Sequence, residues 1–122
     1  MSDPVHDEIA ERIALRFAWQ SHRSYVRGKL RWDPLFKAVA PLLADSPRPL
    51  LDIGCGLGLL GQYLHERGHR AAYRGLDVDG KKIAQARDAA ARGGIKLDFD
   101  IASADALPAF CGDVALLDVL HY

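Results

Sequence analysis

Leu50-Leu51-Asp52-Ile53-Gly54-Cys55-Gly56-Leu57-Gly58-Leu59-Leu60-Gly61 is the stretch whose reading decides the fold. Leu50, Leu51 and Ile53 make a short apolar run, the pattern of a parallel strand covered on both faces. Glycines follow at alternate positions, Gly54, Gly56 and Gly58. Glycine adopts positive φ and lets a ligand come close to the backbone. A helix beginning near Leu57 points its free N–H groups and the positive end of its dipole at the same spot. Asp52 adds an acid at the strand end. Strand, glycine turn and helix together predict a site for a nucleotide-like ligand.

Downstream, the chain keeps the same rhythm. The helix after the turn is expected to reach about Arg67 and to end at Gly68. Ala71–Leu76 reads as a second strand closed by Asp77, and Gly80–Arg92 as an alanine-rich helix ended by Gly93-Gly94. Ile95–Ile101 reads as a third strand, with Leu97, Phe99 and Ile101 alternating with polar partners. Val114–Val119 reads as a fourth, almost wholly apolar. Strands alternating with helices predict a parallel sheet with right-handed crossovers.

Upstream, Asp3-Pro4 is a helix start, with a capping acid before proline. Val5, Ile9, Ile13 and Phe17 repeat at helical spacing, which predicts a helix to about Trp19. A shorter helix is expected over Ser21–Leu30, broken near Gly28. Asp33-Pro34 repeats the cap, and Pro41 predicts a kink or restart. Between Arg16 and Lys37 lie Arg16, Arg23, Arg27, Lys29, Arg31 and Lys37 against one acid, Asp33, with Phe17, Trp19, Tyr25, Trp32 and Phe36 interleaved. One reading is a lid for an anionic substrate or nucleic acid. The reading adopted is a packed amphipathic segment whose aromatics enter the core and whose basic face is solvated.

The 122 residues suffice for one domain. Hydrophobic residues make up 49% and charged residues 26%, an ordinary globular composition. Lys plus Arg and Asp plus Glu both number 16, so net charge points to neither nucleic acid nor membrane. Cys55 and Cys111 lack metal-ligand spacing, and reduced thiols suit a cytoplasmic location. The N-terminal stretch has no uninterrupted apolar core, so no signal peptide is read there, and no apolar run is long enough to cross a bilayer.

Asp52-Ile-Gly-Cys-Gly-Leu-Gly58 resembles motif I of class I S-adenosylmethionine-dependent methyltransferases. Three more segments resemble that family's later motifs, in the right order: Gly75-Leu-Asp77-Val-Asp79, Ser103-Ala-Asp105-Ala-Leu-Pro108 and Gly112-Asp-Val-Ala-Leu-Leu-Asp-Val-Leu-His121. The resemblance implies a Rossmann-like three-layer α/β sandwich with sheet order 3-2-1-4. It divides the single domain into a helical lead-in or lid, residues 1–48, and an S-adenosylmethionine-binding half, residues 49–122.

The implied contacts are specific. Gly54, Cys55, Gly56 and Gly58 would bring backbone N–H groups near the methionine end of the cofactor. Asp52 would reach its ammonium. Asp77 would accept from both ribose hydroxyls, Val78 would pack on the adenine, and Asp105 and Ala106 would meet the adenine edge. Asp118 to Tyr122 would face the methyl group and substrate. Bland readings stand beside these. Asp52 could cap the following helix, although an acid at the end of a buried strand is costly without a partner. Asp79 reads as a helix cap, and Asp105 could belong to an ordinary turn. His121 is a candidate general base or an aromatic wall, with Tyr122 beside it. His6, His22, His65 and His69 read as surface or helix-end residues, and Cys55 as a turn filler. No metal site is read.

Gly56-Leu-Gly58-Leu-Leu-Gly61 also satisfies the G-x-G-x-x-G pattern of NAD(P)-binding domains, so a nicotinamide enzyme is an alternative. The extra acid at Asp52 and the Asp105 element favour S-adenosylmethionine. The expected function is methyl transfer to a small-molecule or lipid-like acceptor. A non-catalytic module that binds S-adenosylmethionine or S-adenosylhomocysteine is the alternative. Family members usually carry further strands, so the chain reads as truncated after its fourth. Its apolar outer edge predicts a homodimer through that edge or through swapped elements.

Overall fold

The structure is a computed structural model, and it describes residues 3–103, 105 and 109–117. In chain order, the helices α1 (Pro4–Ala14), α2 (Gln20–Trp32) and α3 (Pro34–Leu43) precede β1 (Leu50–Ile53). Then come α4 (Leu59–Glu66), β2 (Tyr73–Asp77), α5 (Gly80–Arg92), β3 (Asp98–Ile101) and β4 (Asp113–Ala115). The four strands are parallel in the order β3-β2-β1-β4, as the motif order implied. Leu50 pairs with Tyr73 and with Asp113, and Gly75 pairs with Phe99.

That register sorts the side chains. Leu50, Tyr73, Phe99 and Ala115 turn to one face, where they share a buried cluster with residues of all five helices. Leu51, Ile53 and Leu76 turn to the other, with Ala102 against them. All four residues of β1 are buried. The described helices lie on the first face. The third layer of the expected sandwich is not among the described residues.

The lead-in helices are part of this core. On α1 the inward stripe is His6, Ile9, Ala10 and Ile13, continued by Phe17. Val5, expected on that stripe, is 55% exposed, and His6 takes its place. His6 Nδ1 meets the Tyr63 hydroxyl of α4 at 2.8 Å, and Arg67 donates to the same hydroxyl at 3.1 and 3.2 Å. His69 is also buried, so two of the histidines read as surface groups are interior. Nearby, Arg16 donates to Gln62 Oε1, and Arg12 pairs with Glu66.

The basic-aromatic segment divides. Phe17 and Phe36 are buried, whereas Trp19, Tyr25 and Trp32 are 67%, 57% and 77% exposed. The reason is helical phase. Val26 and Leu30, four apart, face α1, and Tyr25 and Trp32 fall off that line. The basic groups are not a free face either. Arg27 pairs with Glu11, Lys29 with Asp33, Arg31 with Asp7, and Lys37 with Asp3. Arg23 donates to the Phe17 carbonyl.

Two expected breaks do not occur. α2 passes through Gly28, because a mid-helix glycine costs only about 1 kcal/mol and the Val26–Leu30 face is packed. α3 passes through Pro41 to Leu43. The two acid caps form as read: Asp3 accepts from His6 N and Asp33 from Leu35 N.

Candidate functional site

β1 ends at Ile53, and the chain turns at once through three left-handed glycines. Their φ angles are 73° at Gly54, 55° at Gly56 and 77° at Gly58. The two inner glycines do different things. A Cβ on Gly58 would stand 2.6 Å from the Phe99 ring, so the loop presses on the core there. Among the described residues, a Cβ on Gly56 would meet nothing within 4 Å, so they leave the loop's outer side open. Gly58 is also the N-cap of α4 and offers no side chain to cap its first turn.

The loop is held by the neighbouring strand. Gly54 N and Cys55 N both donate to the Leu76 carbonyl, at 2.7 and 3.0 Å. Gly58 N donates back to Cys55 O. Gly56 N donates to Asp77 Oδ2 at 2.9 Å, and Asp79 N donates to Asp77 Oδ1 at 2.8 Å. Of the four loop donors, Gly54, Cys55 and Gly56 are satisfied on β2 and Gly58 within the turn itself. Asp77 stands half-buried at the tip of β2 with both oxygens on backbone N–H groups. A carboxylate oxygen accepts more than one hydrogen bond, so capacity remains for a ligand hydroxyl.

Asp52 is 3% exposed and lies on the helix-covered face of β1. The Tyr73 hydroxyl donates to its Oδ2 at 2.6 Å. Tyr73 was not singled out in the sequence. Its signal was there: it lies 21 residues after Asp52, the same separation that links Gly56 to Asp77. One parallel register sets both diagonals. Burial, with the Asp52 carboxylate beside it, pushes the Tyr73 phenol well above its ordinary value and keeps it a donor.

Cys55 lies against Gly75, and burial pushes its thiol up far beyond the ordinary cysteine range, with Asp52 and Asp77 adding to the effect. It is a filler and no nucleophile. Asp79 caps α5 through Lys81 N and Lys82 N, as read. Val78 is 68% exposed beside Asp77, and Ile101 is 60% exposed at the tip of β3. Asp105 is exposed beyond β3. Ala106, Asp118, His121 and Tyr122 lie outside the described residues. Among the described residues no cluster of His, Cys, Asp or Glu could hold a metal, and no helix is long and apolar enough to cross a membrane.

A recess of about 490 Å³ lies elsewhere, at the outer edge of β3. Arg74 and Arg87 line it and both pair with Asp100. Its charges satisfy one another, and it is not at the strand tips. In open parallel sheets, ligands sit outside the carboxyl ends of the strands, where the order reverses. Here that place is the junction of β1 with β2 and β4, and it holds the glycine loop and Asp77. The fold is Rossmann-like, with the glycine loop and Asp77 at the tips of its central strands.

Comparison with known proteins narrows the class. Residues 50–122 match the family described as methyltransferase domain, and the chain belongs to that family, whose cofactor is S-adenosylmethionine. It is 28% identical over 110 residues to the ubiquinone biosynthesis O-methyltransferase of Stutzerimonas stutzeri, covering 89% of this chain and 47% of that protein. It is 35% identical over 81 residues to the 18S rRNA (guanine-N(7))-methyltransferase of Bos taurus, covering 62% and 28%. Among solved structures it resembles the Pyrococcus abyssi tRNA (uracil-54, C5)-methyltransferase in complex with S-adenosyl-L-homocysteine. That likeness has a TM-score of 0.56 and 27% identity, over 66% of this chain and 20% of that one. The chain thus spans less than half the length of these relatives.

Proposed function

We propose that this chain binds S-adenosylmethionine at the glycine loop and carries the cofactor half of a methyl transfer to a small-molecule or lipid-like acceptor. The observation that carries the reading is the Asp77–Gly56 bond. It fixes the glycine loop against the carboxylate at the tip of β2, which in this reading takes the ribose. The residues present fit the group. The Gly56 side of the loop is clear of neighbours, the first turn of α4 has no side-chain cap, and exposed apolar Val78 adjoins Asp77. Family membership supports the cofactor, and the Stutzerimonas relative's name supports the acceptor class.

In this reading Asp77 holds the ribose, Val78 and Ile101 wall the base, and Gly56 and Gly58 admit the methionine end. Asp105 meets the adenine edge; Ala106, Asp118, His121 and Tyr122, which the motif resemblance assigns to the adenine and the acceptor, lie outside the described residues. When bound, the cofactor supplies a methyl group on a positively charged sulfur, which an acceptor nucleophile takes as neutral S-adenosylhomocysteine leaves. The chain's contribution is positioning and exclusion of water, not acid-base chemistry by the described residues. Residues 1–48 serve as a lead-in that braces α4.

Asp77→Ala should weaken S-adenosylhomocysteine binding at least about tenfold by calorimetry, since charge-assisted bonds are worth about 1.5–3 kcal/mol. Unchanged affinity would remove the ribose role. A methyl-transfer assay with quinol-like and RNA acceptors then separates the acceptor classes named by the relatives. Binding without turnover on either would favour a binding module.

We further infer a cytoplasmic homodimer that uses the outer edge of β4. What supports it is that strand edges invite pairing and that Val114, on the sheet face of Leu51, is 53% exposed beside that edge. Sedimentation at micromolar concentration should show a dimer. A monodisperse monomer rejects it.

A further inference from the structure

The sheet has a second edge, at β3, which nothing so far assigns a role. Among the described residues no strand lies beyond it. The backbone groups of a parallel strand alternate in direction. Ala102 N donates to the Asp77 carbonyl of β2, so Asp98 and Asp100 also point their backbone groups at β2, and Phe99 and Ile101 point theirs outward. Those outward N–H and C=O groups are what an added strand would use. One of them is already taken. Arg87 of α5 reaches round the edge, and its Nε and Nη2 donate to the Phe99 carbonyl at 3.1 and 2.6 Å. The same guanidinium lies 3.6 Å from Asp100 Oδ1, and Arg74 of β2 holds Asp100 Oδ2 at 2.9 Å. The fork on the carbonyl is thus anchored by an acid of the same strand. Asp98, one residue before Phe99, is exposed.

We propose that Arg87 is an autoinhibitory guard of the β3 edge: by holding the Phe99 carbonyl it keeps a second copy of this chain from adding a strand there. The physical reason is competition for one acceptor. An incoming N–H would have to displace a charge-assisted, two-pronged bond. The displaced guanidinium would then lie between two strands, where losing its water is costly. Asp98 and Asp100 add charges along the same edge, a further obstacle to a second strand. The guard stands on the geometry of β3 alone and does not depend on the dimer inferred at β4. Its consequence for that dimer is direct: with β3 closed, copies that pair at β4 stop at two, whereas two open edges would let them grow into a chain of copies.

The test combines sedimentation velocity with amide hydrogen exchange on the full chain over a range of concentrations. Arg87→Ala should raise the apparent association constant at least about tenfold over wild type, the scale of a carbonyl freed on each of two copies. The outward amides of Phe99 and Ile101 should then exchange more slowly as concentration rises, and in the wild-type chain their exchange should not depend on concentration. An unchanged association constant overturns the proposal. So does association that leaves Phe99 and Ile101 unprotected, because a variant that is merely less stable would associate without pairing at β3. Arg87→Lys keeps the charge and loses the fork, and it should associate in the same way. If Arg87→Ala fails to fold, Arg87→Lys carries the test, and wild-type behaviour there overturns the proposal. A wild-type chain that sediments as a monomer rejects the β4 dimer and leaves this test intact, since its readout is the difference between variant and wild type at β3.

Discussion

The lead-in helices and the strand tips treat polar groups in opposite ways. Around α1 and α2, each described basic side chain from Arg23 to Lys37 finds a partner within the chain, such as Glu11, Asp7 or the Phe17 carbonyl. At the strand tips, Gly56 faces open space, Val78 is exposed, and the first turn of α4 has no side-chain cap. The first region is electrostatically closed on itself, and the second is shaped for something else. Charge density alone would have favoured the first region, whereas the glycine motif favoured the second, and the basic groups do find partners inside the chain. A run of basic residues says little about binding until its partners are known.

The contrast can be broken most forcefully at Gly58. Gly58→Ala forces a side chain into the left-handed region and into Phe99, which should cost about 2–4 kcal/mol by summing strain and overpacking. Chemical denaturation would show it, and a loss under about 1 kcal/mol would mean that the loop relaxes freely.

Acid should act next, on the closed side. His65 and His69 are both held below the ordinary histidine value of 6.5, chiefly by burial. A depressed pKa means that the unfolded chain binds the proton more readily. The contribution is therefore fully present above 6.5 and is lost as pH falls through the folded values. The melting temperature should decline as pH falls below the ordinary histidine value of 6.5, and His69→Gln should flatten that decline. A flat profile in the wild-type chain would contradict the burial of these rings.

The smallest effect is expected at the surface. Arg27→Ala removes an exposed ion pair with Glu11, and the thermal midpoint should hardly move. A clear drop would show that the ion pairs of α1 and α2 act as a network.

Much of the α/β half was legible because its signals are local. Gly80–Arg92 has a cap, a periodic face and a glycine stop, and α5 has those same limits. The order of strands followed from the motif resemblance. Phase and partners were less visible. Which face of α2 is buried depends on where α1 lies, so Tyr25 and Trp32 could not be placed from spacing alone. His6 reads as polar, yet the Tyr63 hydroxyl makes its burial tolerable. The acceptors of the loop were not visible, because the Leu76 carbonyl that takes Gly54 N and Cys55 N lies over 20 residues away and backbone acceptors leave no trace in sequence. Asp52 was legible as an acid needing a partner, but the identity of that partner required the register of β1 with β2.

The tether from the loop to β2 also bears on how this protein assembles. Gly54, Cys55 and Gly56 reach their acceptors only once Leu76 and Asp77 lie alongside. The loop's shape is thus a long-range product, dependent on a strand that follows it by one helix. An excised peptide of strand, turn and helix would lack the loop's conformation. In the intact chain three successive N–H groups of the loop are already held on β2.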